Sequence, residues 1–282
     1  MPALLPGTPL LTQQQFAYRT LGSGPEPLLL IHGYMVHGEL FSPVIDILAQ
    51  DYTLIVPDMR GTGLNRELPG LYTISQYADD MAHVLDEMGL DRAHILGYSM
   101  GGTVAQQFAE RYPNRVKTLI LSCTFAFKPY SALERFQRPL VINTVQRIGA
   151  EGIARFILPE VAKAALNLDP EITLWYREAV RMNRDDVLLY GIHEIFKFDS
   201  RAWLPKLKMP SLVIGASDDL LAPIHHTEML TGLLPNAYTK VFEPAGHGVI
   251  ITHAQEYART VRHFLNIVRR EEASGRLGRL RV

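Results

Sequence analysis

Cysteine is nearly absent from this chain, with Cys123 the only one in 282 residues. A single thiol excludes any intrachain disulfide, and a reducing compartment is the expectation that follows. An excess of either charge is also missing, because 28 Lys and Arg meet 29 Asp and Glu for a formal net charge of −1. That balance argues against nucleic acid as a partner, which would need a basic face to neutralise phosphates. No apolar run approaches the roughly 18 residues of a membrane-spanning helix, and the longest, such as Leu28 to Ile31, are strand-sized. The first fifteen residues hold three prolines and no basic segment, so a signal peptide is not expected. His225-His226 and His193-Glu194 lack metal-ligand spacing, and Gly61-Thr62-Gly63 lacks the third glycine of a dinucleotide fingerprint. Neither a metal nor a cofactor is therefore expected. The chain reads as soluble and cytoplasmic, a monomer or homodimer acting on a small molecule, with no membrane or nucleic-acid partner. Arg269, Arg270, Arg276, Arg279 and Arg281 near the C-terminus read as a solvated helix end with a frayed tail.

What is present is apolar residue, at 47%, and its arrangement carries the fold. Short apolar runs alternate with helical patterns, the signature of βαβ units and a parallel sheet. Strands are expected over Phe16–Thr20, Leu28–His32, Thr53–Val56, Ala93–Gly97, Val116–Cys123, Ser211–Ala216 and Tyr238–Phe242. Ile74 to Met88 repeats apolar residues every three or four positions, with Thr73 and Gln76 as a capping box before it and Gly89 after it. Further helices are expected over Met100–Arg111, Ile224–Leu234 and Ala254–Val268, the last with Thr252 and Gln255 as a second capping box. Between about Phe125 and Pro205 strand patterns cease and helical ones take over. The division expected is a core domain of residues 1–124 and 206–282 with a helical cap inserted at 125–205.

The chemistry centres on Gly97-Tyr98-Ser99-Met100-Gly101. Glycine and serine are common enough that chance supplies such a Gly-x-Ser-x-Gly pattern in roughly one chain in ten of this length. Its surroundings add the specificity. Ala93 to Leu96 reads as a strand and Gly102 to Phe108 as a helix, so Ser99 falls on a strand-to-helix turn. A nucleophile there is held in a strained conformation with its hydroxyl projecting, and side chains at 97 and 101 would strike the adjoining elements. The following helix points its N-terminal amides at a developing oxyanion.

On these residues the chain resembles the α/β-hydrolase superfamily, in its esterase, lactonase and carbon–carbon hydrolase branch. His32-Gly33-Tyr34 is similar to the family's oxyanion loop, Asp58-Met59-Arg60-Gly61-Thr62-Gly63 to its Asp-x-Arg-Gly-x-Gly loop, Gly215-Ala216-Ser217-Asp218 to its acid turn, and Gly246-His247 to its histidine loop. The resemblance implies a mostly parallel, doubly wound sheet under a helical cap, without a cofactor. It implies Ser99 as nucleophile, His247 as general base and Asp218 as the acid that orients it, in the chain order this fold uses. It implies an oxyanion hole from the backbone N–H groups of Tyr34 and Met100, supported by His32, Gly33, Gly97 and Gly101. Asp219 reads as a turn residue before Pro223, His253 as the solvated start of the last helix, and Asp58 and Arg60 as loop organisers.

For the substrate pocket, Tyr98, which precedes the nucleophile, and Tyr34, in the loop similar to the family's oxyanion loop, are the expected lining residues. Phe125, Phe127, Trp175, Phe196, Phe198 and Trp203 are aromatic candidates from the cap region, with Phe125 and Trp175 taken forward. The activity implied is hydrolysis of a carboxylic ester or lactone of a small, largely apolar substrate through an acyl-serine. The alternatives are a carbon–carbon hydrolase of a diketone-type substrate, a cofactor-free haloperoxidase, and a small-molecule receptor that retains the triad. Haloalkane dehalogenase and epoxide hydrolase chemistry is disfavoured, because those branches carry aspartate where this chain has Ser99.

Overall fold

A computed structural model describes residues 5–128, 132–163 and 168–274. Arg276, Arg279 and Arg281 lie outside the described residues. Eight strands form one sheet: β1 (Leu10–Leu11), β2 (Ala17–Leu21), β3 (Glu26–Ile31), β4 (Tyr52–Pro57), β5 (Ala93–Tyr98), β6 (Val116–Ser122), β7 (Ser211–Ala216) and β8 (Ala237–Phe242). Their order across the sheet is β1-β2-β4-β3-β5-β6-β7-β8. β1 and β2 are antiparallel, and every pairing from β4 through β8 is parallel.

The central strands β3 to β7 are buried on both faces, which is why they read as apolar runs without polar alternation. Leu28 and Leu30 of β3 enter one core, while Leu29 and Ile31 enter the other. Helices α1 (Ser42–Leu48) and α10 (Ala254–Ala273) cover the first face. α2 (Ile74–Glu87), α3 (Met100–Arg111) and α8 (Ile224–Leu233) cover the second. α2 begins where its capping pattern places it, with Thr73 Oγ1 accepting the Gln76 N–H at 3.1 Å. The second expected capping box does not form. A short helix, α9 (Val249–Thr252), precedes α10, and the Thr252 hydroxyl instead donates to the Gly248 carbonyl at 3.3 Å.

Between β6 and β7 the described chain is helical: α4 (Ala132–Gly152, interrupted at Gly149), a π-helical turn at Ile153–Ile157, α5 (Leu158–Val161), α6 (Pro170–Arg181) and α7 (Asp185–Lys197). α6 starts on an Asp169 cap, whose Oδ1 accepts the Ile172 N–H at 2.9 Å, and Pro170 supplies a preset φ at its first turn. Among the described residues no helix is long and apolar enough to cross a membrane.

Candidate active site

Ser99 sits between the end of β5 and the start of α3 with φ 55° and ψ −121°, a conformation that non-glycine residues rarely adopt. Its backbone is held from both sides. The Ser99 N–H donates to the Ser122 carbonyl at 2.8 Å, and the Ser99 carbonyl accepts from Gly102 at 2.9 Å. The flanking glycines make this turn sterically feasible. A Cβ on Gly97 would lie 2.3 Å from the Gly101 carbonyl oxygen, and one on Gly101 would lie 2.1 Å from the Ile31 carbonyl oxygen. Both distances are far inside contact, so any side chain would push β5, β3 and α3 apart.

The loop after β8 brings His247 over this turn. Its Nε2 lies 3.0 Å from Ser99 Oγ, and its Nδ1 lies 2.8 Å from Asp219 Oδ2. The second Asp219 oxygen accepts the N–H groups of Leu221 at 2.8 Å and Ala222 at 2.7 Å. Burial alone would raise the Asp219 pKa. The imidazole of His247 and the two amides outweigh it and leave the carboxyl below its ordinary value, hence ionised. An ionised acceptor at Nδ1 fixes the imidazole with its proton there and turns the Nε2 lone pair toward Ser99.

Asp218 is therefore not the acid that the structure brings to His247. It is exposed, and its Oδ2 accepts from the Ser217 hydroxyl at 3.1 Å. The reason is strand geometry. The chain beyond β7 keeps pairing with the β8 side, Ser217 N–H to Phe242 and Asp218 N–H to Ala245, and successive side chains there point to opposite sides. Asp219, one residue on, turns inward. His253 also lies apart from the serine, with its Nδ1 2.9 Å from the Thr252 hydroxyl.

The loop after β3 forms the opposite wall. Met59 N–H donates to His32 Nε2 at 2.8 Å, so the ring proton is on Nδ1 and goes to the Gly33 carbonyl at 2.9 Å. Burial lowers the His32 pKa to about 4, which keeps this strut neutral. Asp58 accepts the N–H groups of Gly38 at 2.6 Å and Leu64 at 2.7 Å, and Arg60 makes a two-point contact with Asp80 at 2.6 and 3.0 Å. These side chains organise loops and do not face the cavity. Gly33 and Tyr34 do line it, beside Ser99. Met100 is the first residue of α3, so its N–H has no acceptor within the helix.

A cavity of about 370 Å³ opens over Ser99 and His247. Its walls are largely apolar, with Val141, Leu158, Val161, Val180, Ile192 and Phe196 drawn from the helical segment between β6 and β7. Tyr34, Tyr98 and Phe125 also line it. Both tyrosine hydroxyls are committed elsewhere. Tyr34 donates to the Leu188 carbonyl at 2.5 Å, tying the loop after β3 to α7, and Tyr98 donates to the His247 carbonyl. Burial raises both phenols far above their ordinary range, so they remain donors.

Trp175 does not reach the cavity, a second correction. On α6 it packs against His37, with ring centroids 5.4 Å apart, while its neighbour Tyr176 enters the cavity wall. Adjacent helical residues differ by about 100° in direction, so one step along α6 exchanges the pocket for the loop behind it. Phe198 and Trp203 pack with each other at 6.2 Å in the core beneath Phe125. Tyr176 was legible only as part of the apolar α6 stripe with Ile172, Ala179 and Val180.

The fold and this constellation define a class, and comparison with known proteins gives it a name. The profile of the α/β hydrolase fold family matches residues 26–254, and the chain belongs to that family. It is similar to a poly(3-hydroxyalkanoate) depolymerase of Ectopseudomonas oleovorans, 28% identical over 93% of this chain and 87% of that one. Among solved structures it resembles a thermophilic esterase from Thermogutta terrifontis, 28% identical with a TM-score of 0.79, covering 93% of this chain and 98% of that one. A hydrolase from Pseudomonas aeruginosa is also similar, 25% identical with a TM-score of 0.78, covering 92% and 97%. The protein is an enzyme of the hydrolase class.

Proposed function

We propose that this enzyme hydrolyses a carboxylic ester or lactone of a small, largely apolar acid through an acyl-serine intermediate. The observation that carries the reading is the continuous relay from Asp219 through His247 to Ser99, ending at an aliphatic cavity. Ser99 Oγ attacks the acyl carbon while His247 Nε2 takes its proton. The carbonyl oxygen gains negative charge and is met by the N–H groups of Met100 and Tyr34. The imidazolium is stabilised by ionised Asp219 and then gives its proton to the departing alkoxide. Water, deprotonated by the same nitrogen, releases the acid and restores Ser99. Residues 125–205 act as a cap that supplies the acyl-binding wall, a reading supported by the nine aliphatic and aromatic residues of this stretch that line the cavity. A cavity of this volume suits one small molecule with few polar groups. The esterase among the structural relatives, at 28% identity, supports an ester as substrate.

The test is a substrate panel of p-nitrophenyl esters of graded chain length, lactones and a ring-fission diketone, run on the wild type and on Ser99→Ala. Ester or lactone turnover that disappears in the variant, with a fluorophosphonate adduct mapped to Ser99, supports the reading. Wild-type turnover by the variant rejects it, and faster cleavage of the diketone than of any ester replaces it with carbon–carbon hydrolysis.

A further inference from the structure

Beside the relay lies one ligand-type atom that ester hydrolysis does not use, the Cys123 thiol, close to two residues that it does use, Asp219 and His247. Cys123 follows β6, Asp219 follows β7 and His247 follows β8, so three parallel strand ends deliver them to one point. The thiol sulfur, a carboxylate oxygen and an imidazole nitrogen all lie within 4.8 Å of one another, and all three residues are buried. Cys123 is held there by its backbone. It has φ 47°, and its N–H donates to the Ile214 carbonyl at 2.8 Å. Of the three residues, only His247 lines the cavity.

Thiolate, carboxylate and imidazole together are a donor set for a borderline or soft divalent cation. A tetrahedral ion with ligands at about 2.0–2.3 Å needs donor atoms roughly 3.3–3.7 Å apart. That requirement falls between the 2.8 Å of the His247–Asp219 contact and the 4.8 Å that bounds the cluster. One thiolate and one carboxylate also cancel the charge of a divalent ion, so the occupied site buries no net charge.

We propose that Cys123, Asp219 and His247 form an inhibitory site for a thiophilic divalent cation of the Zn²⁺ or Cd²⁺ type. On binding, the metal–sulfur bond replaces the S–H bond, and that proton passes to solvent. The imidazole stays neutral: Nδ1 loses its proton to the metal bond, and Nε2 gains one. Nε2 then faces Ser99 as a donor and can no longer accept the hydroxyl proton. The cation sits behind the histidine and not in the substrate cavity, so kcat falls while KM holds. Inhibition rests on the triad reading above; cation binding does not.

The experiment titrates Cd²⁺ into the full chain and follows both turnover and the thiolate-to-cadmium charge-transfer absorption. Cys123 is the only cysteine, so the band has one origin. In the wild type we expect the band to saturate at one equivalent, kcat to fall at constant KM, and EDTA to reverse both. In Cys123→Ala the band vanishes and the inhibition constant rises by at least about tenfold. Ser99→Ala retains all three ligands and should keep the band, which tests binding without relying on the folding of the cysteine variant or on activity. Absence of the band in both wild type and Ser99→Ala overturns the proposal. So does equal inhibition of Cys123→Ala, or inhibition that competes with substrate. A band with undiminished turnover supports the cation site and counts against His247 as the base.

Discussion

Asp219 Oδ2 lies 2.8 Å from His247 Nδ1, whereas Asp218, its neighbour in the chain, turns outward and accepts a hydrogen bond from Ser217. The two aspartates therefore separate cleanly by experiment. Asp219→Asn loses the charge that stabilises the imidazolium and no longer fixes the productive tautomer, and kcat should fall on the order of 10³–10⁴-fold. Asp218→Asn should stay within about twofold of wild type, since surface changes away from a site are nearly neutral. Steady-state kinetics on one p-nitrophenyl ester decides between them, and the opposite ranking would return the acid to Asp218.

Tyr176 and Trp175 offer a parallel contrast on α6. Tyr176→Ala enlarges the cavity and should move the preferred acyl chain toward longer esters, read as a change in relative kcat/KM across the chain-length series. Trp175→Ala should leave that preference unchanged while lowering stability by about 2–4 kcal/mol through the lost packing against His37 and Tyr176. An altered chain-length profile in the tryptophan variant would put Trp175 in the acyl site after all.

His32 predicts a pH effect on stability. Burial lowers its pKa from 6.5 to about 4 in the folded chain. The unfolded chain takes up a proton below pH 6.5 that the folded chain refuses until about pH 4. Stability from this residue is therefore whole above the upper value and drains away as pH falls toward the lower one. By pH 4.5 the loss is about 2–3 kcal/mol. His32→Gln should have a lower urea midpoint at pH 7, where its ties to Met59 and Gly33 are weakened, and a shallower decline between pH 7 and 4.5. An unchanged decline would show that another group carries this linkage.

Gly101→Ala places a methyl 2.1 Å from the Ile31 carbonyl oxygen. Backbone on both sides leaves no flexible side chain to move aside, so the expected outcome is a loss of more than about 3 kcal/mol, or failure to fold. Gly232→Ala, on α8 with nothing within 4 Å of the added carbon, should be neutral or slightly stabilising. Thermal melts of the two variants side by side test the steric demand of the turn at Ser99.

Much of this molecule is written in local pattern. The apolar runs of β3, β5 and β7, the periodic stripe of α2 with its Thr73 cap, and the change of rhythm after β6 each follow from residues close together in sequence. Other features had no local signal. β1 is two residues, exposed in both, and pairs only because β2 lies beside it. The Thr252 capping pattern failed because a separate turn of helix, Val249–Thr252, took its place.

Ser99, with glycines two positions to either side, a strand before it and a helix after it, was determined by the sequence alone, because a strained turn constrains its own neighbours. The identity of its partners' partners was decided by tertiary structure. Which of two adjacent aspartates faces His247 depends on how far the β7–β8 pairing runs before the chain turns, and one residue reverses a side chain's direction. Which of Trp175 and Tyr176 meets the substrate cavity depends on how α6 is rotated against the sheet. That rotation is set by packing with the π-helical turn at Ile153–Ile157, α4 and α5, and has no counterpart in the local sequence.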